Sequence, residues 1–195
     1  LPRMSYLYAS GKQSEFEAYA RKSLLVTSYG TFLFSALAYI AGNRFIPLFL
    51  GPGFLASARV FQILSPIMIF IGVSNVLGIQ MLIPMGKEKV LSISVIAGAL
   101  ANFSGNLLLI PSYGASGAGF STLAAEFLVT AIQVGYLWPS GFFRSVTRES
   151  RLFLLASSGS ILAGLSASLI PIPQPWAQLL FICLLQTLAY VIALH

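Results

Sequence analysis

Aspartate is absent from this chain: its only acids are five glutamates, and it has one cysteine and one histidine. Chemistry that needs clustered carboxylates, several histidines or a Ser/His/Asp set therefore has almost nothing to work with, and the single histidine is the last residue, His195. One cysteine, Cys183, sits in an apolar run and excludes an internal disulfide. The sequence carries no Gly-rich phosphate loop and no Asp-containing metal motif, so no cofactor, metal site or enzymatic activity is expected of it. Charged residues are 8% of the chain, against about 25% in an average soluble protein.

Apolar side chains fill the space that charge leaves. They are 57% of the 195 residues, and the mean hydropathy is +0.86. A body of this size cannot hide that much apolar surface from water, so much of it should face lipid. Six stretches have the roughly 20 apolar residues that a transmembrane helix needs: 24–43, 60–83, 90–110, 118–138, 152–170 and 177–194. The first can continue to Leu50, because Pro47 can kink a membrane helix without ending it. Barrel strands are about half as long and alternate strictly, so the expected class is all-α and polytopic. Residues 1–23 read as a cytoplasmic loop ending in an amphipathic stretch, Ser14 to Lys22, and 24–195 as the transmembrane domain. The opening Leu1-Pro2-Arg3 lacks the pattern of a secretory signal, and the chain is expected to be the C-terminal part of a longer protein.

Lys and Arg are retained on the cytoplasmic side of a membrane. Arg3, Lys12, Arg21, Lys22, Lys87, Lys89, Arg144, Arg148 and Arg151 fall on one side of the expected spans, and only Arg44 and Arg59 on the other. Both ends are therefore expected in the cytoplasm. Trp138 and Tyr136 at the inner boundary and Trp176 at the outer one fit interfacial aromatic belts. The net charge of +6 is dispersed among loops, so it reports topology and calls for no nucleic acid.

Polar residues within the spans are candidates for function, because each is costly in hydrocarbon. Glu126 lies about 12 Å below the outer end of the fourth span, counted at the helical rise from Ala118. Gly119, Thr122, Thr130 and Gln133 recur with it at three-to-four-residue steps and form one polar stripe. Two readings of Glu126 stay open: a cavity-lining carboxylate that meets a cation, a proton or a polar substrate, and a Glu held protonated or paired to fix helix packing. Asn102 and Asn106 stand one turn apart on the third span, with Gly98 and Gly105 nearby, and Asn75 and Gln80 lie on the second. Amides of this kind either bridge helices or line a sugar-accessible cavity. Ala156, Ser160, Gly164 and Ser168 repeat every fourth residue as a close-packing face. Arg44 and Arg59 near the outer surface are snorkelling anchors or sites for an anionic headgroup.

Several ordered segments resemble the C-terminal half of polysaccharide biosynthesis proteins, the lipid-linked oligosaccharide flippases related to multidrug exporters and to the lipid II flippase. They are Leu1-Pro2-Arg3-Met4-Ser5, then Phe45 to Phe54 (FIPLFLGPGF), then Ser74 to Gln80 (SNVLGIQ) with Ile83 to Lys89 (IPMGKEK). Leu109-Ile110-Pro111 with Tyr113 to Ala118 (YGASGA) follows, continuing to Ser121-Thr122 and Ala125-Glu126. The resemblance implies two six-helix lobes around a central cavity, with two further helices in longer members, this chain supplying helices nine to fourteen. It also implies alternating-access transport of an undecaprenyl-diphosphate-linked sugar unit across the bacterial cytoplasmic membrane. The partners implied are lipid-linked oligosaccharide, membrane lipids and the N-terminal lobe of the same protein.

Three other functions are compatible with the residues. A cation-coupled exporter of small amphipathic cations would use Glu126 for coupling. A membrane sugar transferase or polymerase predicts a large polar outer loop, whereas every loop after residue 23 is short. A scaffold would tolerate loss of every polar span residue except those that pack.

Overall fold

A computed structural model describes the backbone of residues 2–194 and their side chains apart from 144, 145, 147–156 and 191–194. Arg144, Arg148 and Arg151 of the topology argument, and Ala156 of the small-residue face, thus lie outside the described side chains, and His195 lies outside the described residues. The regular elements are all helical: α1 (Pro2–Ala9), α2 (Gln13–Leu50), α3 (Leu55–Leu64), α4 (Ile67–Asn75), a π-helical segment (Val76–Leu82), α5 (Glu88–Tyr113), α6 (Ala115–Leu137), α7 (Phe142–Leu169) and α8 (Pro175–Leu194).

Four helical runs are long and apolar enough to cross a membrane: Gln13–Leu50, Pro52–Leu82, Glu88–Tyr113 and Ala115–Ser140. They hold the first four expected spans. The fifth and sixth expected spans fall on α7 and on α8, whose described apolar part is the shorter Pro175–Tyr190. Side-chain contacts show that α2 and α3, α5 and α6, and α7 and α8 each fold back on one another as helical hairpins. Gln62 on α3 reaches Tyr39 of α2, Asn102 on α5 meets Thr122 of α6, and Ser160 on α7 meets Gln186 of α8. α2 is the centre of the bundle. It packs against α3 and α4 on one side and α7 and α8 on the other, while the α5–α6 hairpin joins through α6 to α3 and α4.

α2 has 38 residues, about 57 Å at the helical rise, nearly twice the ~30 Å of a hydrocarbon core. The amphipathic stretch 14–22 and the first expected span are one uninterrupted helix, which continues through Pro47. Its first turns pack with α1. Phe16, Ala20 and Leu24 join Met4 and Leu7 of α1, Leu77 and Leu82 of the π segment, Leu137 and Phe142 in one buried cluster. Arg3 lies over the Tyr19 ring, 4.1 Å from its centroid, and donates to the Tyr19 hydroxyl, tying α1 to α2.

The second long run is broken at Pro66, which has no N–H for the carbonyl of Gln62 four residues back. Ser65 fills that gap: its Oγ donates to the Gln62 carbonyl at 2.9 Å and its backbone N–H at 3.3 Å. The break between α3 and α4 thus leaves no orphan carbonyl at Gln62. Further on, Ile83 N–H bonds to Gly78 carbonyl and Lys87 N–H to Leu82 carbonyl, each five residues back, as π turns require.

Much of the exterior is apolar. Leu100, Leu107, Leu108, Phe127, Leu180 and Leu184 are each more than half exposed, a surface suited to acyl chains rather than water. Inside, lipid offers no hydrophobic drive for helices to associate, so close packing must supply it. On α5, a Cβ at Gly98 would stand 2.4 Å from Val129 Cγ2 and 3.3 Å from the Ala125 carbonyl oxygen of α6. Only glycine lets the two backbones come so near.

Candidate functional site

The α5–α6 seam carries two side-chain hydrogen-bond chains. In the first, Asn106 Nδ2 donates to Asn102 Oδ1 at 2.8 Å, Asn102 Nδ2 to Thr122 Oγ1 at 3.1 Å, and Thr122 Oγ1 to the Ala118 carbonyl at 2.9 Å. In the second, Gln133 Nε2 donates to Ser94 Oγ at 3.1 Å, and Ser94 Oγ to the Leu91 carbonyl at 2.7 Å. Both chains end on backbone carbonyls, which only accept. The hydroxyl before each carbonyl gives away its proton and so presents an acceptor to the amide behind it. Each amide therefore points its NH2 group along the chain, and one oxygen is left at the head of each. Among the described residues, no donor reaches Asn106 Oδ1 or Gln133 Oε1, though both are buried.

A cleft of about 510 Å³ opens between α4, the π segment, α5 and α6, and both unpaired oxygens belong to residues that line it. Glu126 lines it too, as does Asn75. No Lys or Arg lies on its wall, and none among the described residues forms an ion pair with Glu126. Val95, Ala99 and Phe103, one helical turn apart on α5, form an exposed apolar rim. Gly78 of the π segment makes room beneath the amide of Gln133: a Cβ there would stand 3.4 Å from Nε2 and only 2.7 Å from Leu91 Cδ1.

The polar stripe of α6 thus meets neighbouring helices rather than lipid. Gly119 abuts Ile63 and Val60 of α3, Thr122 meets Asn102, and Gln133 meets Ser94. Thr130 is buried and shares its hydroxyl proton between the Phe70 carbonyl of α4, at 3.1 Å, and the Glu126 carbonyl, at 2.9 Å. Glu126 is the member of the stripe whose side chain lines the cleft with no hydrogen-bond or ion-pair partner among the described residues. Five of the expected site residues, Glu126, Gln133, Asn102, Asn106 and Asn75, are brought together there. Thr122 and Thr130 support its walls, and Gln80 does not line it.

The two outer arginines are elsewhere. Arg44 donates from Nη2 to the Ser168 carbonyl at 2.9 Å and from Nε to Gln178 Oε1 at 3.3 Å, joining α2 to α7 and α8. Arg59 is exposed on α3. Sequence reasoning did not single out Ser94 or Gln186. Ser94 precedes Gly98 and Asn102 by four and eight residues, so the same periodicity would have found it. Gln186 is fully buried on α8 beside Gly164, and its amide has no hydrogen bond among the described residues. A lone Gln in an apolar run carries no signal of that kind.

These features define an all-α membrane protein with a polar interior cleft in its α4–α6 layer. Comparison with known proteins adds a family. The chain is 30% identical over 128 residues to a "Putative O-antigen transporter" of Shigella dysenteriae, covering 66% of this chain and 31% of that protein. It is 30% identical over 120 residues to a protein of the same description from Escherichia coli (strain K12), covering 60% of this chain and 28% of that one. The chain is a distant homologue of these transporters and spans under a third of their length. No family model matches it, and no solved structure does.

Proposed function

We propose that this chain is the C-terminal lobe of a flippase that moves lipid-linked oligosaccharide across the bacterial inner membrane. Its six spans would be α2, the α3–α4 run, α5, α6, α7 and α8, with both ends cytoplasmic, and an N-terminal lobe of the same protein would face its cleft. The observation that carries this reading is the homology to O-antigen transporters. The geometry supports it by turning polar side chains into a cleft beneath an apolar exterior. A sugar diphosphate cannot cross hydrocarbon unassisted, because each unpaired hydroxyl costs several kcal/mol and each charge far more. Polar groups lining a path between two rocking lobes remove that barrier without any covalent step.

The full-length transporter in proteoliposomes tests this reading, with a fluorescent lipid-diphosphate-sugar followed between leaflets against protein-free vesicles. Protein-dependent exchange is expected, with Glu126→Gln slowing it while the amount of folded protein stays unchanged. Exchange at the control level would overturn the flippase reading. One observation favours a second reading, a cation-coupled exporter: Glu126 faces the cleft without a basic partner among the described residues. Extrusion of small organic cations under an ion gradient, with no lipid exchange, would decide for it. A transferase or polymerase would show product formation, and a scaffold would show neither.

A further inference from the structure

The cleft on α4–α6 is lined by amide and carboxyl side chains and by no Lys or Arg, and that determines what it can hold. Resting on the flippase reading, we infer that it receives the hydroxyl groups of the neutral sugar portion of the cargo and excludes the diphosphate. Two buried amide oxygens of its lining residues, Asn106 Oδ1 and Gln133 Oε1, accept and have no donor among the described residues, and the Asn75 amide and the Glu126 carboxyl line it beside them. The two amide oxygens are left over because both hydrogen-bond chains end on backbone carbonyls, those of Ala118 and Leu91, which only accept. Gln133 is 1% exposed, and a buried acceptor without a donor is destabilising until a ligand supplies one.

A phosphate meets the wrong partners here. It brings acceptors of its own to two oxygens that already lack donors, and no Lys or Arg lies on the wall to neutralise its charge. Sugar hydroxyls bring donors. The volume of about 510 Å³ lies within the ~300–1,000 Å³ of small-molecule sites and far exceeds what one desolvated ion fills. Phe103, Val95 and Ile79 add apolar wall for the C–H faces of a sugar ring. The diphosphate is then held by basic groups outside this cleft, so the sugar and the anion of one headgroup are read at separate places.

Cysteine protection in the full-length protein in nanodiscs tests this, with native cysteines replaced by Ser and Ala99→Cys placed on the exposed rim. The probes are a panel of methyl glycosides of neutral hexoses and N-acetylhexosamines, inorganic pyrophosphate, and sodium or potassium chloride. The glycosides should slow maleimide labelling of the rim, and pyrophosphate at the same concentration should not. Asn106→Leu should raise the glycoside concentration for half-protection about 3- to 10-fold, the loss of one hydrogen bond, and Glu126→Gln, which keeps one acceptor oxygen, should raise it less. Protection by pyrophosphate overturns the inference, as does absence of protection by any glycoside. Protection by the salt alone that disappears in Glu126→Gln also overturns it, in favour of a cation. Leaflet exchange measured on the same preparation separates the two levels: intact exchange without glycoside protection sinks the sugar cleft alone, and absent exchange sinks the flippase reading.

Discussion

Arg44 on α2 donates from its guanidinium to the carbonyl oxygen of Ser168, at 2.9 Å, in the last turn of α7. That turn ends with carbonyls that have no intrahelical donor and with the negative end of the helix dipole, so a cation there satisfies both. Because Arg44 also reaches Gln178, whose Nε2 donates to the Ile170 carbonyl at 2.9 Å, one side chain ties the C-terminal part of α2 to the end of α7 and the start of α8. Arg44→Ala should destabilise the folded protein by about 1–3 kcal/mol, the range for a hydrogen bond to a charged group. Thermal unfolding in detergent measures this. Arg59→Ala, at an exposed position, is the comparison and should leave the midpoint unchanged; equal midpoints for both variants would show that the Arg44 contacts contribute nothing.

Gly98 sets the distance between α5 and α6. A Val there would drive its branches into Val129 and the Ala125 carbonyl, at a cost of about 1–3 kcal/mol or more for overpacking, and Gly98→Ala should cost less. Unfolding of the two variants checks the order. The second measurement is transport, which should fall with Gly98→Val because the cleft shares that seam.

The Ser65–Pro66 break makes a paired prediction. Ser65→Ala removes the hydroxyl that covers the Gln62 carbonyl and should cost about 1 kcal/mol. Pro66→Ala returns an N–H to that carbonyl and should let α3 and α4 run on as one helix. Spin labels placed on α3 and α4 would report the distance between them, and an unchanged distribution in Pro66→Ala would mean that tertiary packing, not proline, makes the break.

The Asn102–Thr122 bond should be measurable by a double-mutant cycle with Asn102→Leu and Thr122→Val. Interhelical hydrogen bonds in membranes average about 0.6 kcal/mol and reach about 1.7, so a coupling within that range is expected. A coupling of zero would mean that the two side chains find equivalent partners when separated. The same cycle with Asn106→Leu should show a further, smaller coupling, because Asn106 donates to Asn102 Oδ1.

Legibility in the sequence followed the physics of each feature. The first four long runs were readable because hydrocarbon imposes a length and an apolar composition that any window reveals. The stripe through Glu126 was readable because helical periodicity puts i, i+3 and i+4 on one face. Gln80 illustrates the limit. It was grouped with Asn75 as an amide of the same span, but it stands five residues further on, and only Asn75 lines the cleft. Arg44 illustrates another: its partners lie 124 and 134 residues away, a distance that no local pattern spans.

By itself, then, the sequence determined that this is an all-α membrane chain, where its long helices lie, and which face of α6 must avoid lipid. Those are consequences of composition and period, which act locally. The tertiary structure alone decided what that face meets, that two hydrogen-bond chains end on backbone carbonyls and leave an amide oxygen over at each head, and that Glu126, Asn106 and Gln133 line one cleft. The direction of a hydrogen bond depends on which groups lie opposite each other across a seam, and only the packing of α5 against α6 brings those groups together.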